Sequence, residues 1–282
     1  MLRHIKNDNG TEVIQNFDWD ITKRELCIFM PNYHDAKYTK FSLRQIRTEM
    51  PKDNYVVIVG NDNTDDNFEE FEDENVFFFS LKRPTKQSRN GCFIRNYVIK
   101  RCQSRRFFQK DGEVVIIGDF IKNCIQWDTP WRAGVIYVLD EGQTDQYMNT
   151  GKTDSFINKP THRVQKIFPG TVDEAKKMIF QSKGCLNLST YHHYAYCVDT
   201  VVIKGINGYD EDYKHYGFED SDMFCRLYAM NHRIIPDPSC FAVHLCHPRN
   251  IIQGNVNDMG AIFQRKSPHD GVRNPNGWGE GI

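Results

Sequence analysis

Glu25-Leu-Cys-Ile-Phe-Met30 is a continuous apolar run closed by Pro31 and Asn32, the pattern of a buried strand that ends in a loop. Tyr38 to Met50 follows, with Phe41, Leu43, Ile46 and Met50 at roughly helical spacing and Pro51 to stop it. Tyr55-Val-Val-Ile-Val59 is a second apolar run. Strand, helix and strand in this order predict a right-handed βαβ unit. Downstream, Val76-Phe-Phe-Phe-Ser80 reads as a third strand, Phe93 to Phe107 as a helix, and Glu113-Val-Val-Ile-Ile117 as a fourth strand, with Gly118 and Asp119 in the loop beyond. The alternation predicts an α/β fold, Rossmann-like, with a mostly parallel sheet flanked by helices. Ligands of such sheets lie beyond the carboxyl ends of the strands, which places a nucleotide near Pro31, Asn61 and Asp119.

From Trp127 to Lys166 the periodicity weakens and Gly, Thr, Asn and Asp accumulate, predicting long loops that cover a site. A helix over Val172–Gln181, a strand over Ala195–Ile203, a helix over Glu219–Met230 and a short strand over His232–Ile235 follow. The expected organisation is a polar extension (1–22), one catalytic domain (23–250) and a loop-rich tail (251–282). The domain divides into a nucleotide-binding half (23–125) and an acceptor half (126–250).

With 282 residues, 39% hydrophobic and 26% charged, the chain can bury one core and solvate its surface. A formal net charge of −1 gives no global attraction to nucleic acid or anionic membranes. The local patch Lys100, Arg101, Arg105 and Arg106 reads first as the cationic end of a helix. No apolar run reaches membrane-spanning length, and Met1 to Glu12 lacks the apolar stretch of a signal peptide. The nine cysteines are therefore expected to be reduced and the protein cytoplasmic.

The chemistry concentrates in Asn207-Gly-Tyr-Asp-Glu-Asp-Tyr-Lys-His-Tyr-Gly-Phe-Glu-Asp-Ser-Asp-Met-Phe-Cys-Arg226, followed by His244-Leu-Cys-His247. Glu219, Asp220 and Asp222 stand at a helix start, where unpaired N–H groups stabilise carboxylates. Simple capping needs neither the two glycines nor the three tyrosines that precede them. Those suit a tight loop offering a flat apolar face to a sugar ring.

This stretch resembles the GT-A glycosyltransferases, most of all the galactosyltransferase-like and chondroitin-synthase-like members, whose motif runs Asn-Gly-Phe, Trp-Gly-Gly-Glu-Asp and Arg. Phe218 stands here where they have a second glycine. The resemblance implies a GT-A fold, Asp220 as catalytic base and Glu219 as an acceptor-holding residue. Tyr209, Tyr216, Gly217 and Phe218 would line the acceptor, while Asp222 and Arg226 support the helix. Cys27-Ile-Phe-Met-Pro-Asn-Tyr33 is similar to the first family strand, implying that Pro31, Asn32 and Tyr33 flank the nucleotide. Val59-Gly-Asn-Asp-Asn-Thr-Asp65 resembles the loop in which Asn61 or Asp62 would face uracil and ribose. Gly91 to Arg95-Asn96 resembles a helix start that approaches the donor, and Gly118, Asp119 and Gly208 complete the implied nucleotide-sugar site.

Family members carry Asp-x-Asp after the fourth strand, and Ile117-Gly118-Asp119 retains only the second acid. Mn2+ (or Mg2+) accepts carboxylate, imidazole and diphosphate together, so Asp119 is expected to share the ion with His244 first and His247 second. A zinc site of Cys240, His244, Cys246 and His247 is the rival, with poor spacing.

The implied activity is inverting transfer from a UDP-sugar to a hydroxyl of a glycan or of a modified base in DNA. Lys82, Arg83, Lys86, Arg89, Arg105 and Arg106 keep the DNA acceptor open. Two other classes compete. A nucleotidyltransferase would show a glycine-rich phosphate loop, which Met30-Pro-Asn-Tyr-His-Asp35 lacks; a non-catalytic scaffold would explain the lost first acid. Trp127, Trp131, Tyr191, His192, His193 and Tyr194 read equally as acceptor-site or core aromatics.

Overall fold

Strand β3 (Leu26–Asn32) is buried at every position, because helices cover both faces of the sheet. Leu26, Ile28 and Met30 pack with Leu43 and Ile46 of α1 (Ala36–Glu49), while Cys27 and Phe29 pack with Ile94, Tyr97 and Val98 of α2 (Gly91–Arg101). Two-sided burial explains the unbroken apolar run. The computed structural model describes residues 3–6, 10–49, 54–71, 75–83, 91–152, 194–232, 235–248, 253–266, 271–274 and 277–279.

β3 is flanked by β4 (Tyr55–Asp62) and β6 (Arg106–Lys110), and β4 by β5 (Val76–Lys82), all parallel. β9 (Ala195–Asp199) runs antiparallel to both β6 and β8 (Trp131–Val138). β10 (Ile235–His244) is parallel to β8, and β7 (Val114–Ile117) closes that side antiparallel to β10. On the other side β2 (Glu12–Gln15) pairs with β5, and β1 (Arg3–Lys6) with β2. The order is β1-β2-β5-β4-β3-β6-β9-β8-β10-β7. Both halves of the chain therefore build one sheet. The carboxyl ends of β3, β4, β5, β6, β8 and β10 share one edge with the amino ends of β7 and β9.

Several expectations change. The residues read as one helix, Phe93–Phe107, split into α2 and β6, since Arg106–Lys110 fills the gap between β3 and β9. Phe107 and Phe108 enter opposite cores, so the segment shows no strand-like alternation of polarity. The loops expected over 127–166 contain β8 and α4 (Glu141–Thr150), with α3 (Phe120–Gln126) just before them. α4 carries a capping box between Asp140 and Gln143 and ends at Gly151 with φ 64°, signals readable in the sequence.

Strand Ala195–Ile203 stops at Asp199, and α5 (Thr200–Gly205) follows. α6 (Glu219–Ala229) matches expectation, whereas the short strand at 232–235 is the start of the longer β10, irregular between Asp237 and Phe241 beside Pro236 and Pro238. The polar first residues extend the sheet. The expected loop-like tail holds α7 (Gln253–Arg265), whose Met259, Ile262 and Phe263 pack on the core despite two glycines in the helix. The helix expected over Val172–Gln181 lies outside the described residues.

Candidate active site

α6 begins at the sheet's ligand edge, preceded by Tyr216-Gly217-Phe218. Gly217 has φ 113° and Phe218 has φ 68°, the left-handed conformation in which a glycine is normally preferred. The Phe218 ring stacks on Phe263 of α7 at 5.5 Å and abuts Gly260, which supplies apolar contact where strain is incurred. Tyr216 and Phe218 are 43% and 38% exposed, an aromatic lip beside Glu219 and Asp220. Glu219 folds back, its Oε2 accepting from Gly217 N at 2.8 Å. Asp220 Oδ1 accepts from Tyr209 Oη at 3.1 Å.

Tyr209 does not offer a face to an acceptor, contrary to expectation: it is fully buried. Asn96 clamps its backbone, donating to the carbonyl at 2.8 Å and accepting from the N–H at 2.8 Å. The second bond of Asn96 Nδ2 goes to Glu211 at 2.8 Å, so the amide expected at the donor is occupied in holding this loop. Gly208 belongs to the same clamp, since a Cβ there would stand 2.2 Å from Asn96 Oδ1, at φ 66°. Arg226 is fully buried, pairs within α6 with Asp222 (2.7 Å) and ties the helix to the loop through the carbonyls of Ile206 (3.0 Å) and Gly208 (2.8 Å).

Arg95, on α2, lies 3.5 Å from Asp111 and 3.9 Å from Glu219, with its guanidinium 5.1 Å from the Tyr209 ring centre. Burial works against its charge, but Tyr209, Asp220, Asp111 and Glu219 outweigh it and raise the pKa well above the ordinary arginine value. A permanently cationic side chain thus joins the α6 carboxylates to Asp111, which follows β6.

Asp111-Gly112-Glu113 is a second acid-x-acid turn, beside the one expected at Ile117–Asp119. It directly follows β6, the fourth strand counted from β3, a segment whose sequence reads as the end of a helix. Gly112 is required because a Cβ would meet Thr39 Oγ1 at 2.2 Å. Glu113 Oε1 lies 3.2 Å from His247 Nε2 and 3.6 Å from His244 Nε2, and these three side chains form a potential cation site whose donor atoms lie within 4.8 Å of one another. His244 is fully buried, its Nδ1 2.8 Å from the Leu245 carbonyl, which leaves Nε2 directed at Glu113. Burial raises the Glu113 pKa, yet the His247 hydrogen bond and the charge of both imidazoles overcome this and hold the carboxyl well below its usual range.

Asp119 does not join them. β7 runs antiparallel to β10, pairing Val114 with His244 and Ile117 with Phe241. At ~3.4 Å per residue those pairs stand roughly 10 Å apart, and Asp119 lies farther on, at the opposite edge of the sheet. Gly118 goes with it. Cys240 and Cys246 are also absent from the cluster; Cys240 is buried with its thiol 3.9 Å from the Phe120 carbonyl.

On the nucleotide side, Asn32 ends β3 and Asn61, expected in a loop, stands one residue before the end of β4; their amides brace the loop that follows. Asn32 Nδ2 donates to Asn61 Oδ1 (2.9 Å) and Asp66 Oδ2 (2.8 Å), and Asn61 Nδ2 donates to the Asp66 carbonyl (2.8 Å). Asp62 is buried against Arg83. Pro31 is buried and Tyr33 is partly exposed beside His34. Gly91 opens α2. Of the basic residues weighed for DNA, Lys82 pairs with Asp65, Arg83 with Asp62 and Arg105 with Glu25, while Arg106 is buried against the carbonyls of Cys124 and Trp127. Lys86 and Arg89, like Tyr191, His192 and His193, lie outside the described residues. Trp127 and Trp131 are core residues, and Tyr194 packs edge-on against His244 at 4.5 Å.

The architecture is that of the GT-A glycosyltransferases. A mannosyltransferase from Pyrobaculum calidifontis in complex with GDP-Man and Mn2+ superposes with TM-score 0.54 and 12% identity, over 81% of this chain and 59% of that one. S. aureus TarS 1-349 in complex with UDP-GlcNAc gives 0.54 and 14%, over 85% and 65%. The chain thus spans less than two thirds of either structure. A family model described as the N-terminal domain of galactosyltransferase matches residues 197–242, the segment from β9 through α6 into β10. No curated protein sequence matches the chain.

Proposed function

We propose that the chain is a metal-dependent, inverting glycosyltransferase that moves a sugar from a nucleotide-sugar, a UDP-sugar first, to an acceptor hydroxyl. The observation that carries this is the meeting at one sheet edge of two groups: the Glu113–His244–His247 donor set and the Glu219–Asp220 pair, linked through Asp111 and Arg95. One carboxylate and two imidazoles suit Mn2+, and Mg2+ less well. When bound, such an ion neutralises the charge growing on a leaving diphosphate and orients the donor.

Asp220 takes the proton of the attacking hydroxyl, which requires a carboxylate within hydrogen-bond reach. The new bond forms at the anomeric carbon opposite the breaking bond to the diphosphate, so configuration inverts. Glu219 and the Tyr216–Phe218 lip hold the acceptor, for which a glycan fits better than DNA because Lys82, Arg83, Arg105 and Arg106, the described basic residues weighed for DNA, are committed to partners. Tyr33 and the loop after β4 hold the base. Free thiols at every described cysteine support a reducing compartment such as the cytoplasm, and among the described residues no helix is long and apolar enough to cross a membrane.

The test separates Glu113 from Asp119. Mn2+ affinity should fall by roughly 100-fold or more in Glu113→Ala, beyond the effect of losing a residue that merely orients a ligand, and stay within about twofold in Asp119→Ala. Release of UDP or GDP from a panel of nucleotide-sugars should need Mn2+ and vanish in Asp220→Asn. Nucleotide-sugar binding by neither protein nor variant, with or without Mn2+, would overturn the proposal.

A further inference from the structure

The hydroxyl of Tyr209 is the centre of a buried polar cluster that the transfer reaction does not by itself require. Its oxygen lies 2.7 Å from Tyr196 Oη, 3.0 Å from Gln109 Oε1 and 3.1 Å from Asp220 Oδ1. Tyr196 and Gln109 are fully buried, and so is Tyr209, which is held by Asn96 and Asn274 at its backbone and by Arg95 at its ring face. We propose that Tyr209 is a positioning residue for Asp220: Tyr196 and Gln109 donate to the phenol oxygen, whose single proton is thereby directed to the Asp220 carboxylate. This rests on Asp220 acting as the base.

Counting donors and acceptors supports this polarity. A phenol has one proton and two lone pairs. Among the described residues Gln109 Nε2 has no hydrogen-bond partner in the amide orientation that faces Oε1 to Tyr209. Turning that amide lets Nε2 donate to Tyr209, a choice that heavy-atom positions alone do not make. With Tyr196 as second donor both lone pairs are filled, and the proton goes to the charged acceptor, the stronger bond. Burial, with Tyr196 and Asp220 nearby, raises the Tyr209 pKa well above that of an ordinary phenol, so the proton is retained. A fixed phenol stops the carboxylate from rotating about its own bond, and misplacing a reacting group by about 1 Å can cost 10²-fold in rate.

Tyr209→Phe removes one oxygen and keeps the packing. Crystal structures of both proteins should show one Asp220 carboxylate orientation in the wild type and a turned or multiply oriented carboxylate in the variant; an unchanged single orientation would overturn the proposal. In Mn2+-dependent hydrolysis of the nucleotide-sugar panel, kcat should fall about 10- to 100-fold with KM within about twofold. An undiminished kcat in Tyr209→Phe, where Asp220→Asn is inactive, also overturns it. Wild-type inactivity on every donor would instead count against the glycosyltransferase reading, and the carboxylate orientation would then decide the role of Tyr209.

Discussion

Lys110 should make the stability of this protein depend on pH in a way that one substitution removes. It ends β6 fully buried, its Nζ donating to Ser42 Oγ at 2.7 Å and to the Asp111 carbonyl at 3.2 Å. Burial lowers its pKa from 10.5 to about 7, against the opposing pull of Glu113 and Asp111. The unfolded chain therefore holds a proton between pH 7 and 10.5 that the folded chain has released, and stability rises with pH across that window. At 1.36 kcal/mol per pH unit the whole span is worth roughly 5 kcal/mol, and pH 7 to 10 about 4 kcal/mol. Below pH 7 both states are protonated and the penalty is constant.

Lys110→Met keeps the volume and abolishes this slope. It also loses two hydrogen bonds, but that cost does not vary with pH. Urea unfolding followed by circular dichroism at intervals from pH 6 to 10, with chelator present to remove metal linkage, gives the difference between the two proteins. Wild type should gain about 4 kcal/mol relative to the variant from pH 7 to 10 and nothing from pH 6 to 7. A difference that is flat from pH 7 to 10 would falsify the assignment of a neutral buried lysine.

Two further substitutions probe how the α6 acids are held. Arg226→Leu leaves the Asp222 carboxylate and the carbonyls of Ile206 and Gly208 without their buried cation, and chemical denaturation should register a loss of roughly 3–5 kcal/mol. Gly208→Ala forces a Cβ into a left-handed backbone, at a cost of about 1–2 kcal/mol, and pushes on Asn96. The Asn96 clamp on Tyr209 should open, and Mn2+-dependent nucleotide-sugar hydrolysis should fall more steeply than nucleotide binding. Equal losses of binding and turnover would place the damage elsewhere.

Long, strongly patterned segments were legible in the sequence alone. β3, α1, β4, β5 and α6 follow from unbroken apolar runs, helical spacing and the stop at Pro51, because those local signals coincide with what the sheet buries, although β3 runs on through Pro31 to Asn32. The acids of 219–222 and the histidines of 244–247 also stood out, as residue types that are costly to bury without partners. β6 did not: five residues with charges at both ends become a strand only because β3 and β9 leave a slot for them. Asp140 and Gln143 did announce α4, but the weak apolar pattern around them hid it. Which acid stands beside the histidines was a tertiary decision. Glu113 and Asp119 flank the same four-residue strand, and the sequence does not say which way that strand runs. Pairing antiparallel with β10 turns the amino end of β7 toward His244 and sends Asp119 to the far edge. Local periodicity reports which faces are buried, whereas strand direction is set by partners distant in sequence.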